Sequence, residues 1–197
     1  MRVAFWLVAS FATAGAAMAI DWKPCAGLAD DAARLKCYDA AVEQALPSEG
    51  RRVGRWLVRT NRDKVTDELE YTFVTSSVEG HFRAGDPFLL IISCGAGRSP
   101  LVAIEWHKYL GTGLTTLTTR YDDSAPEGET LAISRPGTMT VETHYGLAVL
   151  RRFLRHARFI ARVTPYRSAA LTAEFDLTGL REALAPHRET CQLASAP

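Results

Sequence analysis

The chain has 197 residues, 47% of them hydrophobic and 23% charged, with 23 basic against 22 acidic side chains. So even a balance gives no general attraction for nucleic acid or for an anionic membrane surface. The length suits one domain with a real core and a small appendage.

Met1 and Arg2 make a short positive start, and Val3 to Ala17 form an almost unbroken apolar run ending in Ala17-Met18-Ala19. Small residues at Ala17 and Ala19 are what a leader peptidase accepts, so a signal peptide is expected over residues 1–19, cleaved after Ala19. A retained anchor fits less well, because about 15 apolar residues fall short of the roughly 20 that span a bilayer. No later stretch reaches that length, and the residues before Cys25 lack the small-residue context of a lipoprotein site. The expectation is a freely soluble periplasmic protein, neutral once Arg2 is lost.

Cys25, Cys37, Cys94 and Cys191 all follow the leader, and an even count in an exported chain reads as two disulfides. Of the three connectivities, Cys25–Cys37 with Cys94–Cys191 is favoured: one closes a local loop, the other ties a mid-chain strand to the C-terminus. Neither a close cysteine pair nor a histidine pair at ligand spacing occurs, so no metal is expected.

Asp30 is suited to cap a helix, and Leu35, Tyr38, Val42 and Ala45 recur at helical spacing, which predicts a helix over 31–46. An unbroken helix from Cys25 would hold Cys25 and Cys37 about 18 Å apart, too far for a disulfide. The favoured pairing therefore needs the chain to double back over residues 24–29, where Gly27 permits a tight turn. Pro47 to Arg52 reads as a polar linker, so residues 20–50 form a disulfide-pinned helix and linker ahead of a β-rich domain over 51–197.

Beyond the linker the period changes to two. Strands are expected over 53–60, 69–75 and 114–121, with two apolar strands buried on both faces at 88–94 and 101–106. Gly95 to Pro100 lies between the apolar pair. It lacks the Gly-Lys-Ser/Thr and following helix of a phosphate cradle, and so reads as a hairpin turn. Further strands are expected over 130–134, 138–143, 159–164 and 170–175, with Pro165 to Ser168 turning between the last two. Helices are expected over 144–157, with Leu147, Leu150, Phe153 and Leu154 on one face, and over 177–185. The predicted fold is α+β: a mostly antiparallel β-sheet or sandwich with the pinned N-terminal helix and two helices in the C-terminal half.

No catalytic constellation is recognisable. The serines sit in no nucleophile elbow, and His81, His107, His144, His156 and His187 are scattered. Asp30/Asp31 suit a helix N-terminus and Asp122/Asp123 a turn. The densest charge feature includes Arg151, Arg152, Arg155 and Arg158, which reads as a solvated helix face or, in a functional reading, as a dock for an acidic partner surface or an envelope polyanion. Trp56, Trp106 and Tyr166, with Trp22 and Tyr121, would mark a binding surface if exposed and core if buried.

Several segments together resemble one family. Cys25-x-x-Leu28-x-Asp30-Asp31-x-x-Arg34-Leu35-x-Cys37-Tyr38-Asp39 opens the pattern, followed by Gly54-Arg55-Trp56, Thr66-Asp67 and Leu89 to Cys94. Val102-Ala103-Ile104-Glu105-Trp106 and Thr119-Arg120-Tyr121-Asp122 continue it, and Val163-Thr164-Pro165-Tyr166, Phe175 to Leu180, Ala183-Leu184 and Cys191 complete it. In this order they resemble the periplasmic TagO/VasI-type proteins associated with type VI secretion systems. Leu131 and Leu193 stand where the family often carries aromatic residues. The resemblance implies an accessory protein that binds envelope or secretion-apparatus proteins, with no catalytic residue or cofactor to carry over. The other reading consistent with a small disulfide-bonded exported domain is an inhibitor or immunity-like protein against a cell-wall-degrading enzyme.

Overall fold

A computed structural model of the chain describes residues 23–37, 50–83, 85–134, 137–142 and 144–193. The predicted leader, Trp22, the second half of the first predicted helix and residues 47–49 of the linker lie outside the described residues. The chain divides into two compact units, Met1–Pro47 and Ser48–Pro197.

In the first unit, α1 (Lys23–Ala26) is a single turn and α2 covers residues 31–37. Asp30 caps α2, its carboxylate accepting the Ala33 N–H at 2.7 Å. The chain reverses between the helices, which brings the Cα atoms of Cys25 and Cys37 to 5.4 Å and closes their disulfide. The doubling-back that this pairing demands is present.

The second unit begins with a hairpin, β1 (Arg51–Val53) and β2 (Trp56–Arg62). A single strand was expected over 53–60. Gly54, at φ 57°, splits it, and Arg51-Arg52 of the expected linker becomes β1. Then come β3 (Leu69–Arg83), β4 (Asp86–Gly95), β5 (Leu101–Glu105), β6 (Leu114–Tyr121), β7 (Glu127–Ile133) and β8 (Met139–Glu142). After α3 (Gly146–Phe153) follow β9 (Arg158–Val163), β10 (Leu171–Asp176) and α4 (Leu180–Leu184). Gly95 to Pro100 turns between antiparallel β4 and β5, as expected.

Every strand pairing is antiparallel, and the order β3-β10-β9-β6-β7-β8-β5-β4 returns to β3. Eight strands therefore close into a barrel, a more specific arrangement than the expected sheet or sandwich. β3 makes the closure possible because its 15 residues serve two neighbours on one side. Its first half lies against β2, and its second half meets β10 through Glu79 opposite Glu174. Register shifts flank His81, and a bulged strand bends more sharply than a regular one. Gly80 sits at the seam with φ 85°, where a Cβ would collide with the Thr172 carbonyl oxygen.

Side chains in register fill the interior: Phe73, Ile92 and Val102 in one row, Thr119, Ala161 and Ala173 in another, Tyr121, Phe159 and Phe175 in a third. Small residues in one layer beside large ones in the next let the barrel pack solid. The outer wall over β3, β10, β9 and β6 carries Glu79, Glu174, Arg162 and Arg120. An apolar inside with a charged outside is the reverse of a membrane-spanning barrel. No helix among the described residues is long and apolar enough to cross a membrane.

One end of the barrel is covered by α3 and the C-terminal segment, fastened by Cys94–Cys191 with Cα atoms 4.9 Å apart. Gly146 opens α3 against the Pro100 carbonyl, leaving no room for a side chain. α3 is shorter than the expected 144–157, because the Asp122 carboxylate draws off the N–H groups of Ala157 and Arg158 at 3.1 and 2.9 Å. Similarly α4 starts later than residue 177, since Asp176 accepts both the N–H and the hydroxyl of Thr178 at 2.9 and 2.7 Å.

Candidate functional site

Two of the three candidate binding aromatics are core. Trp56 and Trp106 are 0% exposed. The Trp56 indole N–H donates to the Thr178 carbonyl at 3.1 Å, and that of Trp106 to the Thr140 hydroxyl at 3.1 Å. A large ring with its one donor satisfied inside is a packing element. Tyr121 is likewise buried, whereas Tyr166 is 59% exposed.

The arginine run does not form an open basic face. Arg152 donates to both oxygens of Glu127 at 2.7 Å each and lies 4.0 Å from the centre of the Tyr121 ring. Arg158 pairs with Asp123 at 2.8 Å and also donates to the Asp122 carbonyl. Arg151 is half-buried, and exposed Arg155 donates back to its carbonyl at 3.3 Å. The acids that match Arg152 and Arg158 lie near the β6–β7 turn, distant in sequence, so these two looked unpaired only in one dimension.

His107 Nε2 lies 3.1 Å from the Pro87 carbonyl, and His156 acquires a close carboxylate partner. His156 Nδ1 lies 2.8 Å from Asp122 Oδ2. Together with the N–H groups of Arg158 and Ala157, it holds the Asp122 carboxyl below the usual carboxylate range. Asp122 has φ 46°, and its carboxylate ties the end of α3 to the β6–β7 turn. With the His156 ring and the Ala157 and Arg158 N–H groups all on one carboxylate, Asp122 anchors this loop. His187 packs against Tyr71 with ring centres 4.0 Å apart and planes tilted by 35°, and burial, reinforced by Arg51, pushes its pKa down.

The α3 end holds the densest group of polar side chains turned inward. A cleft of about 370 Å³ opens between α3 and strands β7 and β8, lined by Tyr121, Glu129, Thr130, Glu142, Tyr145 and Val149 among others. Below it a cavity of about 20 Å³ shares Tyr121, Glu129, Glu142 and Val149 and reaches Thr119 and Thr140. Glu129 lies opposite Leu117 and two residues before Leu131, so the strand period turns it toward the interior. Burial, and then the nearby Glu142 charge, push its carboxyl pKa upward. Glu142 accepts the N–H groups of His144 and Tyr145 at 2.7 and 2.8 Å, capping the approach to α3 in place of a side chain on Tyr145. Burial raises the Tyr121 phenol well above its ordinary range, and Arg152 holds Glu127 below the ordinary carboxylate range. None of these carboxylates stood out in the sequence as a candidate. The readable signal was a glutamate in phase with Leu131, but the strand was expected to begin only at Thr130.

The opposite end presents aromatic surface. Tyr109 is 50% exposed and Tyr166 59%, with Leu114 also exposed. Their loops are fastened together: Leu110 N–H donates to the Gly137 carbonyl at 2.7 Å and Tyr166 N–H to the Leu110 carbonyl at 3.1 Å. A Cβ at Gly137, φ 99°, would press on the Tyr109 ring. The Arg167 guanidinium lies 5.1 Å from the Tyr166 ring centre.

No family model, curated protein or solved structure matches the chain. Its functional reading therefore rests on the residues themselves.

Proposed function

We propose that this protein is an exported accessory module of a type VI secretion system, acting by binding an envelope or apparatus protein at the end of the barrel that bears Tyr109 and Tyr166. The observation that carries the reading is the pairing of two half-exposed tyrosines on loops held by backbone hydrogen bonds and shaped by Gly137. Tyrosine offers a large rigid contact area with a polar tip, and such anchors dominate protein interfaces. Rigid loops lose little entropy on docking. Two disulfides suit an oxidising compartment, and the leader-like residues 1–19 supply the route to it. The type VI assignment rests on the family resemblance of the sequence.

The test is affinity capture of the full chain, expressed with its own leader in a bacterium carrying a type VI system, with partners identified by mass spectrometry. Membrane-complex or baseplate components are expected with the native protein and lost with the double variant Tyr109→Ala/Tyr166→Ala. Capture of a cell-wall hydrolase alone would replace this reading with that of an inhibitor. Apparatus components retained by the double variant would move the interface elsewhere.

A further inference from the structure

The cleft beside α3 carries a separate inference. Around it stand three glutamates, Glu127, Glu129 and Glu142, against one arginine, Arg152. That arginine is committed, with both carboxylate oxygens of Glu127 on its guanidinium and the Tyr121 ring on its face. Glu129 and Glu142 form no ion pair among the described residues. Glu142 has the His144 and Tyr145 N–H groups on one oxygen, whereas Glu129 has neither a hydrogen bond nor an ion pair among the described residues, in a setting where burial and the Glu142 charge both oppose its ionisation.

A second feature points at the same place. Thr119 is 3% exposed, and its hydroxyl has no hydrogen-bond partner among the described residues. It lines the small cavity together with Glu129 and Glu142, beneath the open cleft. A buried hydroxyl without a partner is costly, and it becomes useful when a ligand supplies the missing group.

We propose that this cleft binds a small primary alkylammonium ligand, its head between Glu129 and Glu142 and above Thr119, its hydrocarbon stem along Val149 and Ala148. An ammonium carries three donors and no acceptor, which suits two carboxylates and a hydroxyl. Charge-assisted bonds of this kind are the strong ones. An anion would meet two carboxylates, and a neutral polyol would leave their charge unmatched. A hard divalent cation is a poorer fit, since no cluster of three or more histidine, cysteine or acidic side chains arranged for a metal occurs among the described residues. At about 370 Å³ the cleft has the size of a small-molecule site, with an apolar wall from Val149 and Ala148 for a stem.

Calorimetric and amide-NMR titration of the full chain with pentylamine and cadaverine tests this, with pentanol and pentanoate as matched controls. Both amines are expected to bind in the micromolar to millimolar range and to shift amides of β7, β8 and the start of α3, while the controls leave them unmoved. Glu129→Gln keeps the shape and removes the charge, and should weaken amine binding about tenfold or more. Thr119→Val should weaken it by a smaller factor. Glu129→Gln is the decisive variant because Glu142 also caps α3, and a change there could disturb folding. The proposal is overturned if neither amine shifts these amides by about 10 mM, if pentanol binds as tightly as pentylamine, or if folded Glu129→Gln binds the amines unchanged.

Discussion

At the α3 end, the barrel is covered by a helix, a disulfide and ion pairs, and Arg152 and Arg158 are matched by acids from the β6–β7 region. At the other end, irregular loops do the covering: Trp106 turns inward while Tyr109, in the same loop, stays half exposed. Residue type is a poor guide at either end. Two of the arginines that looked available, Arg152 and Arg158, are occupied, and the tryptophans that looked like anchors are core. Surface aromatic area falls to Tyr109 and Tyr166 at one end and to Tyr145 at the start of α3. At the α3 end Glu129 turns inward with neither a hydrogen bond nor an ion pair among the described residues, although the local sequence is conspicuously basic.

The contrast can be broken or sharpened by substitution. Trp106→Ala should have the largest effect, a loss of about 3–5 kcal/mol, because it empties a buried site and strands the Thr140 hydroxyl. Urea denaturation measures it, and an unchanged midpoint would mean that the indole does not plug this end. Cys94→Ser comes next, at about 2–5 kcal/mol, since the bond closes a long loop and fastens the C-terminal segment at the α3 end. A melting temperature equal to that of the native protein would show that the helix and ion pairs hold that end without it.

Glu129→Gln should act in the opposite direction. Its folded-state pKa is raised, so the native state favours the protonated form. Stability tied to this group is full below the unfolded carboxylate pKa and is lost as pH rises through the folded one. The amide should therefore raise the melting temperature at neutral pH, with the gain vanishing in acid. A lower neutral-pH melting temperature would mean that the chain itself stabilises this charge. Asp122, whose pKa is lowered, contributes above the unfolded pKa and loses that contribution as pH falls through the folded one. The smallest effect is expected for Tyr109→Ala and Tyr166→Ala, each within about 0.5 kcal/mol in thermal melts. A cost approaching that of Trp106→Ala would make the tyrosines packing elements and remove the basis for docking there.

Much of the local structure was legible because each element advertises its own period. Alternation located β6 at Leu114–Tyr121; β4 and β5, from their apolar runs, and β9 and β10 were placed to within one or two residues at each end. β4 was expected to be buried on both faces, but its residues alternate between buried and half-buried because one face of a barrel strand looks outward. Cysteine parity pointed to two disulfides, and the favoured pairing among the three is the one present; Asp30 was readable as a cap because capping involves only near neighbours. Strand lengths were read less well where pairing is non-local. The Ser76–Arg83 half of β3 has weak apolar alternation of its own and is held by β4 and β10.

By itself, then, the sequence determined the strand-rich class, most element positions, an even cysteine count and a balanced charge. Only tertiary structure decided that the sheet closes, which side of each charge is matched, and which aromatics face water. Alternation says that a strand has two faces, but not which strand lies beside it. Closure depends on Glu79 meeting Glu174 across a seam where Gly80 lets two backbones approach. The same long-range pairing turns Glu129 inward beneath α3 and sets Arg152 against Glu127. Contacts between residues far apart in the chain are favoured by burial and geometry that no local window contains.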